Sequence, residues 1–232
     1  MSEDILGLNR HPGDHHYRAF VGPSVDYDLV SAMAFGLLTA CGLRQHHRLL
    51  DIGCGSLRLG RLFIPYLNQG NYVGLEPNKW LVEEGLRYEV GDSLVKNRSP
   101  SFVYGSSLSG WEGKREFDFA VAQSIFSHTG ADLLLQWLVE TADALSESGV
   151  LFATIIEGAE DCRDSGWIYP ECVEYRIETI SRWAEENGLQ TQVLDWYHPR
   201  QTWCAFYKPE FDPGVLNGGS PSWNHFGSRA QP

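Results

Sequence analysis

Cysteine is scarce in this chain and is not arranged in pairs. The 232 residues include five cysteines, an odd number, and no two of them form a C-x-x-C pair. The sequence therefore predicts neither a disulfide framework nor a cysteine zinc site. It also lacks a basic, apolar leader at the N-terminus, and no run approaches the roughly 18 apolar residues of a membrane-spanning helix. We expect a cytoplasmic protein without a membrane segment.

Basic residues are also few. Lys and Arg number 18 against 30 Asp and Glu, which gives a formal net charge of −12. This balance argues against broad electrostatic contact with nucleic acid or an anionic membrane, and it favours small-molecule, carrier-bound or peptide substrates. A hydrophobic content of 43% and a length that suits one α/β domain predict a folded chain with a sizeable core. The sequence makes no prediction of oligomeric state.

The chain does contain alternating strand-like and helix-like segments. After a helix over 26–42, we expect strands near 48–52, 71–76, 101–105, 117–122 and 150–156, and helices over 56–67, 78–89, 131–146 and 174–187. The segments 191–197 and 202–208 are rich in β-formers and flank a short turn, which predicts a hairpin. This order predicts an α/β fold with a mainly parallel sheet, helices on both faces and an antiparallel C-terminal hairpin.

One motif is more informative than the others. Residues 49–60, LLDIGCGSLRLG, indicate a buried strand, a tight turn and a helix N-terminus. Gly53 and Gly55 let the backbone approach a bound molecule closely, and the helix start offers N–H groups without partners. Glu76 ends the second predicted strand, which is where nucleoside-binding folds hold a ribose. Together these features predict a nucleoside-cofactor site.

With these motifs the chain resembles the class I S-adenosylmethionine-dependent methyltransferases over residues 27–208. LLDIGCG resembles the family's first motif, VGLEP its second, FDFAVAQS its fourth strand, and ALSESGVL the approach to its fifth. The resemblance implies a Rossmann-like, seven-stranded sheet with a C-terminal β-hairpin, helices on both faces, and S-adenosyl-L-methionine as cofactor. Residues 1–26 are then an N-terminal arm and candidate active-site lid, and residues 209–232 are a loose C-terminal tail.

The resemblance also implies how the cofactor is held. Asp51, Gly53 and Gly55 would surround its methionine part, with Gln123 beside the amino acid group. Glu76 would accept hydrogen bonds from both ribose hydroxyls, because a carboxylate can accept from two donors at once. A cap on the next helix for Asp51 and a solvated surface position for Glu76 are the structural alternatives.

The adenine contact is less sharply defined, because three residues after the third predicted strand are candidates: Ser106, Ser107 and Leu108. Leu57 stands where the family commonly has a third glycine, and Arg58 stands where dinucleotide-binding folds have theirs, which weakens an NAD interpretation. The full implied set of cofactor-binding residues is Asp51, Gly53, Cys54, Gly55, Glu76, Pro77, Ser106, Ser107, Gln123 and Ser124.

A histidine follows the fourth predicted strand, at the sheet edge where such folds bind ligands. Because imidazole titrates near pKa ~6.5, His128 is a candidate general base or substrate hydrogen-bonding group. The structural alternative is a cap on the next helix. The candidate substrate and lid residues, from the arm and from the loop after the fifth strand, are His16, Tyr17, Glu157, Trp167 and Tyr169.

The sequence thus predicts an S-adenosylmethionine-dependent methyltransferase acting on a small molecule, with O-methylation of a natural-product or sugar hydroxyl favoured. The alternatives are an N- or peptide methyltransferase and a cofactor-binding protein without catalysis, while the acidic balance disfavours RNA methylation. No metal site is predicted, since the arm histidines His11, His15 and His16 lack the fixed helical spacing of metal ligands.

Overall fold

The computed structural model describes residues 4–109, 111 and 116–219, which contain a seven-stranded sheet. Its strands are β1 (Leu49–Ile52), β2 (Tyr72–Leu75), β3 (Ser101–Val103), β4 (Phe117–Ala122), β5 (Leu145–Ile155), β6 (Gln190–Leu194) and β7 (Thr202–Tyr207). They lie in the order β3-β2-β1-β4-β5-β7-β6. Strand β7 is antiparallel to both of its neighbours, and the other pairings are parallel. The predicted parallel sheet with a C-terminal hairpin is confirmed.

Helices cover both faces of this sheet. In the described part of the chain they are α1 (Tyr27–Ala40), α2 (Gly60–Tyr66), α3 (Lys79–Gly85), α4 (Asp92–Arg98), α5 (Ala131–Ala144) and α6 (Ile177–Glu186). Alternate residues of β1 enter two different buried clusters. Leu50 and Ile52 pack with residues of α5 and α6, whereas Leu49 packs with residues of α1 and α2. Burial on both faces explains why the central strands are almost entirely apolar.

Helix boundaries differ from the prediction near the loop after β1. Helix α2 begins at Gly60 rather than at 56, because Leu57 has a φ of 60°, outside the helical region. The segment predicted as one helix over 78–89 is α3 followed by a π-helical turn, Leu86–Val90. Helix α4 was not predicted, since none of its residues is buried and it carries no hydrophobic periodicity.

Strand β5 begins earlier than predicted. Helix α5 ends at Ala144, and Leu145 takes an extended conformation and pairs with Phe117. The register then shifts before Val150 pairs with Phe119, as at a β-bulge. Leu145 is buried, and an apolar residue is expected here whether the position ends a helix or begins a strand. The hydrophobicity of Leu145 alone therefore does not distinguish these two structures.

Part of the C-terminal tail is packed onto the domain. Residues Pro213–Gly219 form a short 3-10 helix that contacts α1. Leu216 is fully buried there, and a Cβ on Gly218 would lie 2.4 Å from the carbonyl oxygen of Ala40. The remainder of the tail, 220–232, lies outside the described residues. No helix in the described ranges is long and apolar enough to cross a membrane.

The carboxyl ends of β1, β2 and β4 share one edge of the sheet. Strand β1 pairs with β2 on one side and with β4 on the other, so the chain reverses its direction of progress across the sheet at β1. In open α/β sheets this reversal leaves a crevice in which ligands bind. The fold therefore brings the loop after β1, the end of β2 and the end of β4 to one crevice.

Gly85, the last residue of α3, packs directly against that loop. A Cβ on Gly85 would lie 2.3 Å from the carbonyl oxygen of Ser56 and 2.6 Å from its carbonyl carbon. Because both are backbone atoms, we expect Gly85→Ala to lower the free energy of unfolding by about 3 kcal/mol in urea denaturation. Gly105→Ala is the matched control, since no heavy atom lies within 4 Å of its Cβ position. Equal stability of the two variants would contradict the close contact.

Candidate active site

The loop after β1 is a tight turn held between two other segments. Gly53 and Gly55 have φ angles of 66° and 52°, in the left-handed region that favours glycine. A Cβ on Gly53 would lie 2.1 Å from Cδ1 of Ile125, and one on Gly55 would lie 2.7 Å from Cγ1 of Val21. Both glycines are therefore required by backbone conformation and by space.

Glu76 follows β2 and faces the same crevice. Its side chain accepts hydrogen bonds from the backbone N–H of Gly55 at 3.1 Å and from both the backbone and side-chain N–H groups of Asn78 at 2.8 Å. Glu76 is 6% exposed, and burial raises the pKa of its carboxyl. The three hydrogen bonds fix the orientation of the carboxylate and favour its ionised form.

These groups border one cavity of about 770 Å³ at the carboxyl edge of the sheet. Its size falls within the range of about 300–1,000 Å³ that is typical of small-molecule sites. The sequence-predicted residues that line it are Gly53, Gly55, Glu76, Pro77, Ser106, Gln123, Ser124, His128, Trp167 and Tyr169. Residues from five separate parts of the sequence thus meet around one space, as the predicted order of strands requires.

Two of the implied cofactor residues lie beneath the loop instead. Asp51 is 1% exposed and accepts a 2.6 Å hydrogen bond from the hydroxyl of Tyr72, and burial raises its pKa to about 7. Cys54 is 4% exposed, and its Sγ packs against Gly74. Neither side chain lines the cavity. Asp51 and Cys54 are instead buried between the loop and strand β2, where they support the conformation of the loop.

Ser107 and Glu157 do not line the cavity either. The Ser107 hydroxyl donates to Oε1 of Glu140 at 2.7 Å, and the backbone of Glu157 forms an isolated β-bridge with that of Tyr175. Ser106 is the serine that lines the cavity, and its carbonyl oxygen accepts a 2.9 Å hydrogen bond from Nε1 of Trp137. Of the three residues considered for adenine contact, the structure therefore brings Ser106 to the cavity.

The N-terminal arm covers the cavity with residues that the sequence did not single out as contacts. Those that line it are Pro12, Gly13, Asp14, Phe20 and Val21. His16 and Tyr17 lie outside it: His16 Nδ1 accepts from the backbone N–H of Arg18, and the Tyr17 hydroxyl donates to Glu89. Arg18 pairs with Glu89 at 2.6 Å, and both side chains are 7% exposed. A buried, hydrogen-bonded ion pair therefore anchors the arm across the site.

Arg58 lines the cavity and is the main functional residue that sequence reasoning missed. It is 9% exposed, with Nη1 donating to the carbonyl oxygen of Val21 at 2.9 Å and Nη2 donating to Oε1 of Gln123. No carboxylate among the described residues forms an ion pair with it. Burial lowers the pKa of Arg58. Because a buried cation without a counter-ion is costly, the cavity favours an anionic group beside Arg58.

His128 lies in a short 3-10 turn, Phe126–His128, after β4. Its Nδ1 is 2.7 Å from the carbonyl oxygen of Glu171. Since a carbonyl oxygen only accepts, Nδ1 carries the proton and Nε2 keeps a lone pair. Burial lowers the pKa of His128. The structure therefore presents a neutral imidazole with a basic nitrogen at a cavity wall.

Comparison with known proteins agrees with this geometry. No protein-family model matches the chain. Magnesium protoporphyrin IX methyltransferase from Synechocystis PCC 6803 with bound SAH shares the fold with a TM-score of 0.60 at 13% sequence identity, over 80% of this chain and 84% of that chain. The 1,6-didemethyltoxoflavin-N1-methyltransferase of Burkholderia thailandensis, bound to 1,6-didemethyltoxoflavin and S-adenosylhomocysteine, matches with a TM-score of 0.57 at 16% identity, over 80% and 78%.

The chain has the class I methyltransferase fold. This confirms the Rossmann-like architecture that the motifs predicted. Within this fold, the glycine loop and Glu76 occupy the ends of β1 and β2. Asn78 adds a contact that the sequence could have indicated, because an amide two residues after a strand-ending acid is placed to fold back onto it.

In this methyltransferase fold the hairpin turn supports the end of β4. His198, in the turn between β6 and β7, accepts at Nδ1 from the backbone N–H groups of Arg200 at 3.2 Å and Gln201 at 3.0 Å. Gln201 in turn donates to the hydroxyls of Ser124 at 3.0 Å and Ser127 at 3.1 Å. Hydrogen bonding through the terminal hairpin therefore fixes a wall of the cavity.

His198 makes the stability of the protein sensitive to acid. Burial, followed by the charges of Arg58 and Arg200, lowers its pKa to about 3. Because this value is below the unfolded value of ~6.5, the stability it contributes is complete above pH ~6.5 and falls as pH decreases toward 3. We expect His198→Asn, whose Oδ1 replaces Nδ1 as acceptor, to remove a dependence of up to about 1.4 kcal/mol per pH unit. Urea denaturation between these pH values measures it.

The control for this pH experiment is His46→Asn, since His46 is exposed. This variant should retain the wild-type slope of unfolding free energy against pH. An unchanged slope in His198→Asn would show that His198 is free to protonate in the folded protein.

Proposed function

We propose that this chain is an S-adenosylmethionine-dependent methyltransferase that transfers a methyl group to a hydroxyl of a small molecule in the cytoplasm. The observation that carries the proposal is one cavity that joins a buried carboxylate, Glu76, a neutral imidazole, His128, and a buried guanidinium, Arg58, which forms no ion pair with any described carboxylate. The fold supports this proposal, because two methyltransferases that were solved with bound S-adenosylhomocysteine (SAH) share the fold.

The residues present fit this cofactor. A carboxylate accepts about four hydrogen bonds. Glu76 accepts three from Gly55 and Asn78, and two of these share one oxygen, so about one acceptor position remains for a ribose hydroxyl. Gly53 and Gly55 leave the loop backbone without side chains toward the cavity. Arg58 would then pair with the methionyl carboxylate of the cofactor. That carboxylate would supply the counter-ion that the guanidinium lacks.

Other lining residues would complete the cofactor site. Pro77 and Ser106 border the cavity beyond Glu76 and would contact adenine. Gln123 and Ser124 would lie beside the amino acid part, where Gln123 already accepts from Arg58. These placements leave the side of the cavity near His128 for the acceptor.

Methyl transfer to a hydroxyl requires a base that removes the hydroxyl proton and a site from which water is excluded. When bound, S-adenosylmethionine supplies a methyl carbon activated by its sulfonium, which is transferred by in-line displacement. Nε2 of His128 would accept the hydroxyl proton, a role that is typically worth about 10²–10⁴-fold. Positioning of the acceptor contributes roughly 7–11 kcal/mol. Phe20 and Val21 of the arm would shield the reacting groups, so that residues 1–26 act as a lid over the methyltransferase domain, 27–208.

The acceptor is a small neutral molecule such as a natural-product or sugar hydroxyl. A net charge of −12 disfavours nucleic acid, because phosphate backbones are held mainly by basic residues. A cavity of about 770 Å³ also suits a small molecule better than a folded protein surface.

Production of S-adenosylhomocysteine from S-adenosylmethionine tests the proposal, since it reports transfer to any acceptor. We expect the purified protein to release it only when a hydroxyl compound from a broad panel is added. Methylation of amines alone would identify an N-methyltransferase. Tight cofactor binding without transfer to any member of the panel would identify a protein that binds the cofactor without catalysis.

A further inference from the structure

One side of the cavity is built from ring side chains. Phe20, His128, Trp137, Trp167 and Tyr169 all line it, and we call these five residues the aromatic wall. The Tyr169 ring centre lies 4.9 Å from that of His128, 6.1 Å from that of Trp167 and 6.1 Å from that of Phe20. The rings of Trp137 and Trp167 are 6.4 Å apart. The wall is continuous, and its members come from the arm, the end of β4, helix α5 and the loop after β5.

The wall offers few polar atoms to a ligand. Nε1 of Trp137 already donates to the carbonyl oxygen of Ser106. Nδ1 of His128 already donates to the carbonyl oxygen of Glu171. A sugar would bury several hydroxyls here, each of which costs free energy when left without a partner. A flat ring loses no hydrogen bonds and gains stacking or edge contacts with the wall.

One acceptor atom of the wall remains available. Nε2 of His128 carries a lone pair, as the bond at Nδ1 requires. The Tyr169 hydroxyl is fully covered, so it offers no hydrogen bond to a ligand. The rings of His128 and Tyr169 stand nearly perpendicular, at 82°. The wall therefore presents Nε2 of His128 as an acceptor next to an aromatic ring.

We propose that the methyl acceptor is a planar aryl hydroxyl, a phenol, that packs against the aromatic wall with its oxygen at hydrogen-bond distance from Nε2 of His128. This inference rests on the proposed function and narrows its substrate class.

The strength of the base agrees with this substrate class. Burial lowers the pKa of His128 below its usual value of ~6.5. A phenol titrates near pKa ~10, whereas an aliphatic hydroxyl is closer to water at ~15.7. The gap between base and acid is therefore much smaller for a phenol.

The step balances without a further reactant. The phenol O–H bond breaks and its proton forms a bond to Nε2 of His128. A lone pair of the phenolate oxygen forms the new O–C bond as the C–S bond breaks, and that electron pair remains on sulfur. The products are an aryl methyl ether, S-adenosylhomocysteine and a proton, which the imidazolium returns to water.

Binding of para-nitrophenol to the S-adenosylhomocysteine complex tests the inference, because its phenolate absorbs visible light. We expect it to bind at least about tenfold more tightly than its saturated analogue nitrocyclohexanol, measured by calorimetry. We also expect its phenolate fraction at a fixed acidic pH to exceed that of free para-nitrophenol. His128→Asn should reduce that fraction. His46→Asn is the matched control, since His46 is exposed.

Transfer to a second matched pair supports the same conclusion. With S-adenosylmethionine, we expect β-naphthol to yield a methyl ether more than about 100-fold faster than its fully saturated counterpart. If the complex forms but nitrocyclohexanol binds as well as para-nitrophenol, or para-nitrophenol does not bind, the substrate class is wrong while the proposed function stands. If the protein does not bind S-adenosylhomocysteine, the proposed function fails and the inference fails with it.

Discussion

Replacing His128 with asparagine is expected to lower kcat for O-methylation by about 10²–10⁴-fold, the usual contribution of a positioned base. The asparagine amide can still donate to the carbonyl oxygen of Glu171, which now accepts from Nδ1 at 2.7 Å. The variant therefore keeps the contact that orients this turn and loses the lone pair at Nε2. Initial rates of S-adenosylhomocysteine formation with a saturating hydroxyl acceptor measure the effect.

The control for this prediction separates catalysis from folding. His46→Asn changes an exposed histidine and should keep wild-type kcat. The affinity of His128→Asn for S-adenosylmethionine should remain within about twofold of wild type, because the proposed function assigns His128, a residue of the cavity wall, to the acceptor and not to the cofactor. Wild-type turnover in His128→Asn would exclude the base role and would favour an amine acceptor that arrives neutral.

The second large effect is expected at Glu76. Glu76→Gln should weaken S-adenosylmethionine binding by about 10–100-fold, since each hydrogen bond to a charged group is worth about 1.5–3 kcal/mol. Glutamine also places an N–H₂ group toward either Gly55 or Asn78, whose N–H groups both donate to the present carboxylate. In the variant, the N–H₂ group of glutamine and a backbone N–H group would therefore face each other as two donors without an acceptor. Isothermal titration calorimetry measures the dissociation constant.

A matched variant is available in helix α3, which follows Glu76 in the sequence. Glu83 pairs with Lys79 at 3.5 Å on the surface, and its side chain is 59% exposed. Glu83→Gln should keep wild-type cofactor affinity, because exposed pairs of this kind contribute little. Equal dissociation constants for Glu76→Gln and wild type would show that Glu76 does not contact the ribose.

The sequence predicted the parts of this molecule that depend on local pattern. Alternating apolar segments indicated the seven strands, and the β-former content of 191–197 and 202–208 indicated the hairpin. The spacing of Gly53 and Gly55 predicted a tight turn, which their positive φ angles confirm. These features were predictable because periodicity and glycine conformation are local properties.

Features that depend on long-range packing were not predictable in the same way. The motif suggested that Asp51 faces the ligand, but the hydroxyl of Tyr72, 21 residues away, holds it beneath the loop. Arg58 departs from a glycine pattern in the sequence, and it forms no ion pair with a carboxylate among the described residues, which makes it a candidate binding residue. That lack is visible only once the chain is folded, because the fold decides which carboxylates come within reach of the guanidinium.

The arm is a further example. Tyr17 and His16 suggested ligand contacts by residue type, yet Tyr17 bonds to Glu89 and the cavity is covered by Phe20 and Val21. The side of the arm that faces the site follows from the ion pair of Arg18 with Glu89, which spans 71 residues. No local pattern encodes that contact.

Titration of the purified protein with S-adenosylhomocysteine by calorimetry measures cofactor binding at this cavity and needs no knowledge of the acceptor. We expect saturable binding of one molecule per chain to the wild type, and weaker binding by about 10–100-fold in Glu76→Gln. Absence of saturable binding by the folded wild-type protein would contradict the proposed function.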